Sequence, residues 1–209
     1  MGLLLGLSLG TAIAEGTKMD DKAIQQKIAE AVHTEYGWKL GEVRVDEVER
    51  LRQASCSFYT TASTQRPLSY QPNYAVLPGN QVIGLSTEGA AGKILDACSA
   101  GASADWWAEI VTRFHPDLGG GIVLSDKETR PDIVRKLTQA GQAFTPPAFG
   151  ADRKSVSFLL LNPETYVLYR VEANRTSGGT IQVVKTKLLG KSSGSQTNSQ
   201  VLQAGTIVT

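Results

Sequence analysis

Apolar side chains recur along this chain with changing periods, and each change marks a new segment. Between residues 20 and 37, Ile24, Ile28, Ala31 and Val32 fall at three- and four-residue steps among polar neighbours, the stripe of an amphipathic helix. Asp20 is placed to cap that helix and Gly37 to stop it. His33 falls in its last turn, where the helix dipole favours a cation, and needs no further role. From residue 42 to 61 the period drops to two. Val43 and Val45 alternate with charged neighbours, and SCSFYTTAS is rich in β-branched and aromatic residues, so two strands are predicted. The run TQRPLSYQPNYAVLPGNQ, with three prolines, reads as a loop with room only for short extended pieces, in which Tyr70 and Tyr74 cover the core. Another short strand is predicted from Gln81 to Ser86.

The middle of the chain returns to helical spacing. Residues 88 to 99 and 103 to 115 predict two short helices and Lys127 to Ala140 a third, with Thr129 and Asp132 in capping-box spacing and Ile133, Val134, Leu137 and Ala140 as its apolar face. A small strand is expected at Gly121 to Leu124. From Ser155 three apolar runs are joined at Asn162-Pro163-Glu164-Thr165 and at Ser177-Gly178-Gly179, which predicts a three-stranded antiparallel meander. Residues 191 to 209, rich in Gly, Ser, Gln and Asn, read as a flexible polar tail whose last nine residues are able to add an edge strand.

Together these segments predict an α+β fold: an N-terminal helix, an antiparallel sheet ending in the C-terminal meander, and a helical insertion between. In element order alone, a helix leading into a curved sheet resembles cystatin-like and nuclear-transport-factor-like layouts. No motif assigns a family.

Export changes the picture of the N-terminus. MGLLLGLSLGTAIA is an apolar run ending in the small-x-small pattern Ala12-Ile13-Ala14, so residues 1 to 14 are expected to be a signal peptide, 15 to 190 a single domain and 191 to 209 the tail. No Lys or Arg precedes the run, and a buried N-terminal segment is the alternative. The run is shorter than the about 20 residues a membrane span needs, so no transmembrane anchor is expected. Gly6 stands where myristoylation would need Ser or Thr. In a secreted or periplasmic setting the only two cysteines, Cys56 and Cys98, are expected to form a disulfide. Positions 33, 56, 98 and 115 lack the paired spacing of a zinc site, and no metal or cofactor is expected. With 21 basic and 20 acidic residues, 41% hydrophobic and no dense basic stretch, nucleic acid is not an expected partner.

Candidate chemistry concentrates in GASADWWAEIVTRFHPDLGGG, residues 101 to 121. Ser103 caps the helix, Asp105 suits its first turn, and Trp107, Ile110, Val111 and Phe114 form one core-facing stripe. Trp106 points about 100° away from Trp107, and with one core on one side it is expected at the rim of a binding pocket with His115 and Asp117. An acid/base pair of His115 and Asp117 is the enzymatic alternative, although no Ser or Cys presents itself as nucleophile.

Other motifs weigh less. VIGLSTEGAAGKI, residues 82 to 94, has the outline of a phosphate-binding loop, but Thr87 and Ile94 occupy two of its four fixed positions. Asn174-Arg175-Thr176 satisfies a glycosylation sequon in a predicted turn and arises readily by chance. Asp46, Glu47 and Glu49 alternate with Arg44, Arg50 and Arg52, as on a solvated strand edge. The resulting expectation is a secreted or periplasmic, non-enzymatic binding domain acting on a protein partner or a small ligand through Trp106, His115 and Asp117. The alternatives are a small extracytoplasmic hydrolase using His115 and Asp117, or a secreted toxin or effector.

Overall fold

The computed structural model describes residues 20–53, 56–65, 71–128 and 130–190. The expected signal peptide, the polar tail, Tyr70 and Thr129 lie outside the described residues. Helix α1, Asp21–Tyr36, starts at an Asp20 cap and ends at Gly37, whose φ of 66° is a left-handed conformation that costs glycine little. It lies on a four-stranded antiparallel sheet of β1 (Val43–Glu47), β2 (Ser57–Ser63), β3 (Asn73–Leu77) and β4 (Gln81–Gly84), which pair in chain order. Alternate residues of these strands feed opposite faces. Tyr59, Tyr74 and Val76 pack with Ile24, Ile28 and Val32 of α1, while Phe58, Ala75, Leu77 and Ile83 face the other way. The Tyr74 hydroxyl donates to Glu35 across 3.1 Å, which gives its polar end a partner at the rim of that layer.

Strand β3 is one of the short extended pieces for which the proline-rich run from 64 to 81 left room. Its five residues fit between Pro72 and Pro78, so neither ring removes a ladder donor from the sheet interior. The Pro72 carbonyl, just outside the strand, accepts from both the amide (2.9 Å) and the hydroxyl (3.0 Å) of buried Thr61.

Two helices, α2 (Ala90–Cys98) and α3 (Ala104–Phe114), cover the second face of this sheet. On their far side lies a second antiparallel sheet, in which β7 (Ser155–Asn162) pairs with β5 (Ile122–Val123), β6 (Ala148–Phe149) and β8 (Val167–Arg175), and β8 pairs with β9 (Ile181–Leu189). The predicted meander is β7 to β9. Val156, Phe158, Leu160, Val171 and Ala173 face α3. Leu159, Leu161 and Leu168 face α4, Pro131–Gln139, through Ile133 and Leu137. Burial on both faces explains why β7 reads as an unbroken apolar run. A register shift between Leu168 and Tyr169 leaves Leu188 as an extra residue of β9, and Leu188 and Leu189 both pack towards α4.

The order of layers is therefore α1, first sheet, α2 with α3, second sheet, α4. Among the described residues no helix is long and apolar enough to cross a membrane.

Helix α4 starts later than the capping-box spacing predicted. Pro131 is its first residue, where the missing N–H is harmless, and the ring keeps Arg130, the cap residue, out of the helical conformation (φ −144°, ψ 70°). Asp132 is bonded in fork geometry to Arg130, with both distances 3.0 Å.

The disulfide forms as expected. Cys56 and Cys98 join the start of β2 to the end of α2 across a sequence separation of 42, and both are buried. Closing such a loop stabilises the fold by about 4 kcal/mol in the chain-entropy account. A second tie comes from the β8–β9 hairpin. Arg175 pairs with Asp96 of α2, and a Cβ on Gly92 would collide with the Gly179 carbonyl. Gly92, half of the Gly-Lys pair that resembled a phosphate loop, is there so that this hairpin can approach the helix.

Candidate functional site

Helix α3 is the middle of the molecule, and its two ends differ. At the C-terminal end the backbone turns through a short 3₁₀ segment, Pro116–Leu118, because Pro116 cannot continue an α-helix. His115 and Asp117 do come together there. The Asp117 amide donates to His115 Nδ1 at 3.3 Å, and the Asp117 carboxylate is 3.9 Å from the same nitrogen. Since Nδ1 accepts, Nε2 carries the proton, and it donates to the carbonyl of Ile181 on β9 at 3.3 Å. Lys185 adds a 2.9 Å bond to the Asp117 carbonyl. Burial pushes the His115 pKa down from 6.5, against the opposing pull of Asp117 and of the Ile181 carbonyl, with Lys185 pushing the same way as burial. The imidazole is thus neutral, has both nitrogens engaged, and fastens the end of α3 to the second sheet.

Trp106 does not join this corner. It lies nine residues earlier, about 13 Å along a helix that rises 1.5 Å per residue. Nor does it stand exposed at a rim: it is 7% exposed, its indole N–H donates to the Leu51 carbonyl at 2.8 Å, and its ring meets Phe58 edge-on at 5.8 Å. The two adjacent indoles point in different directions, as their spacing requires, but both are buried because α3 has a sheet on each side. Trp106 packs against β2 of the first sheet, and Trp107 against Phe149 on β6 of the second, again edge-on at 5.5 Å.

Two clefts open at this N-terminal end, on either side of the turn that joins α2 to α3. The smaller, about 380 Å³, is lined by Arg50, Gln53, Asp105, Trp106 and Glu109 among others. Most of its polar groups already serve the fold. Glu109 accepts from Arg50 at 3.0 and 3.3 Å and from Arg113 at 3.1 Å, Arg113 donates to Asn73, and Gln53 donates to the Ala100 carbonyl.

The larger cleft, about 520 Å³, lies between that turn and the β6–β7 turn, with Ser99, Gly101, Trp107, Phe149, Arg153, Lys154 and Arg175 as its walls. This volume falls in the range of small-molecule sites, about 300 to 1,000 Å³. The β6–β7 turn closes by the Gly150 amide to the Ser155 carbonyl and the Arg153 amide to the Gly150 carbonyl, both 3.0 Å, and it holds Arg153 at a φ of 55°. That geometry sets the Arg153 guanidinium 4.3 Å from the Phe149 ring centre, with one N–H directed at the Ala102 carbonyl at 3.4 Å. The disulfide anchors the opposite wall, because Cys98 immediately precedes Ser99.

Sequence reading missed Phe149, Arg153 and Lys154 altogether. The one local signal was an adjacent Arg-Lys pair in the polar turn GADRKS. Arg175 was met only as the middle of a sequon, whose Asn174 the structure places in β8 rather than in a turn. Among the described residues no group of three or more His, Cys, Asp or Glu is placed to hold a metal ion. No family model, no curated protein and no solved structure matches this chain.

Proposed function

We propose that this protein is an exported binding domain that takes a small ligand into the cleft between the α2–α3 and β6–β7 turns, and that it does so without catalysis. The observation that carries this reading is the cleft itself. Trp107 and Phe149 give it an apolar, aromatic wall, and three cationic side chains converge on the same space, a combination that orients ligands in concave sites. The covalent anchor at Cys98 supports export, since disulfides persist in oxidising compartments. The engagement of both His115 nitrogens in the fold supports binding over the hydrolase reading, which needs one of them to face a substrate.

The test is to isolate the protein from its source by cell fractionation and to identify bound small molecules by mass spectrometry, with Phe149→Ala as comparison. The expected result is recovery outside the cytosol, an oxidised Cys56–Cys98 pair, and a bound compound that the variant loses. Recovery from the cytosol with free thiols, or a bound compound retained by Phe149→Ala, would overturn the proposal.

A further inference from the structure

Resting on that cleft as the binding site, we infer that its ligand is a small oxyanion, a carboxylate or phosphate borne on a flat apolar body. The chain as a whole carries a net charge of +1, so a gathering of three cations in one cleft is a local arrangement and not part of a generally basic surface. Two acids lie near them, and both are already engaged. Asp96 pairs with Arg175, and Asp152 accepts the Lys154 amide at 3.0 Å. The lining of the cleft itself includes no carboxylate.

The cations are held in different ways. Arg153 is fixed over Phe149 and uses one of its five N–H donors on the Ala102 carbonyl, which leaves others for a ligand. Arg175 is oriented by Asp96, and its amide bonds the Lys154 carbonyl at 2.8 Å, which ties the two backbones together at this side of the cleft. The Lys154 ammonium has no acidic partner among the described residues. A guanidinium fork already set in place presents paired donors to an oxyanion with little ordering cost, and a mobile lysine closes on it as a point charge. Beside these donors, Phe149 and the small accessible part of Trp107 give the cleft an aromatic side for a planar body.

The experiment is calorimetric titration of the full chain at low salt with phenyl phosphate, benzoate, inorganic phosphate and benzyl alcohol. The expected result is that phenyl phosphate or benzoate binds at least tenfold more tightly than benzyl alcohol, and more tightly than inorganic phosphate. The comparison of phenyl phosphate with benzoate separates the two oxyanions. Affinity for the better acid is expected to fall as salt rises. Lys154→Gln, which breaks no internal bond, is expected to weaken it severalfold at an unchanged melting temperature, and Arg153→Gln with Lys154→Gln more than tenfold with a cooperative unfolding transition retained. Arg135→Gln, on the exposed side of α4, is expected to leave it unchanged.

If benzyl alcohol binds as tightly as the acids and Lys154→Gln changes nothing, the oxyanion is wrong while the cleft still stands. If inorganic phosphate matches phenyl phosphate, the flat apolar body is wrong. If no probe binds, or binding survives Phe149→Ala, the inference falls together with the proposed site.

Discussion

The two ends of α3 carry similar-looking chemistry in the sequence and opposite roles in the structure. The C-terminal end has the residues that suggest catalysis, His115 and Asp117, yet both imidazole nitrogens are used within the fold, Nε2 on the Ile181 carbonyl of β9 and Nδ1 on the Asp117 amide. The N-terminal end has a tryptophan pair of which the helical stripe puts only Trp107 in the core; both indoles are buried, yet the space beside them is open and cationic. A residue type with catalytic potential says little until its hydrogen bonds have been followed to their partners. At this protein's His115 they lead back into the fold.

The largest effects expected from breaking this comparison come from the indoles. Trp106→Ala and Trp107→Ala should each cost about 3 to 5 kcal/mol in denaturant unfolding, since each opens a cavity against a different sheet. A near-neutral Trp106→Ala would mean that α3 is buried on one side only. Replacing both cysteines, Cys56→Ala with Cys98→Ala, should cost about 4 kcal/mol and loosen the Ser99–Gly101 wall of the larger cleft, so ligand affinity should fall along with the melting temperature. An intact affinity would show that the disulfide does not position that wall. Gly92→Ala should cost about 1 to 3 kcal/mol, because the added Cβ meets the Gly179 carbonyl and the hairpin must shift. No change in stability would mean that the hairpin does not rest on α2.

The smallest expected effect is the pH response of the C-terminal end. The folded pKa of His115 lies below 6.5, so above that pH the group is neutral in both states and contributes nothing to a pH slope. As pH falls below 6.5 the unfolded chain takes up a proton that the folded chain refuses, and stability declines until the folded imidazole itself titrates. Urea unfolding at pH 7.5 and 5.0 should show this loss in the natural chain and less of it in His115→Gln. An identical loss in both would assign the slope to other groups.

Much of the fold was legible because its signals are local. The Asp20 and Gly37 ends of α1, the Ser103 cap of α3 and the two turns of the C-terminal meander each rest on residues a few positions apart. The pairing of Cys56 with Cys98 followed from their number and from the expectation of export. What could not be read was long-range. Nothing near residue 106 says that sheets lie on both sides of α3, and that fact decides the fate of Trp106. Nothing local brings Phe149, Arg153 and Lys154 to Arg175 and Trp107; the antiparallel pairing of β7 with β6 and β8 does so. Strand β3 was legible only as a short extended piece without bounds, because flanking prolines mark the ends of an element as readily as its absence.

The central claim is that recognition takes place at the N-terminal end of α3, and the three tryptophans report on it directly. Trp38 lies under α1, Trp106 is bonded to Leu51, and Trp107 lines the larger cleft. Their indole N–H resonances can be followed by NMR while a mixture of small aromatic acids and alcohols is titrated in. The account predicts that the Trp107 signal moves and the Trp38 signal does not. A still Trp107 signal, with shifts confined to the imidazole of His115, would contradict it.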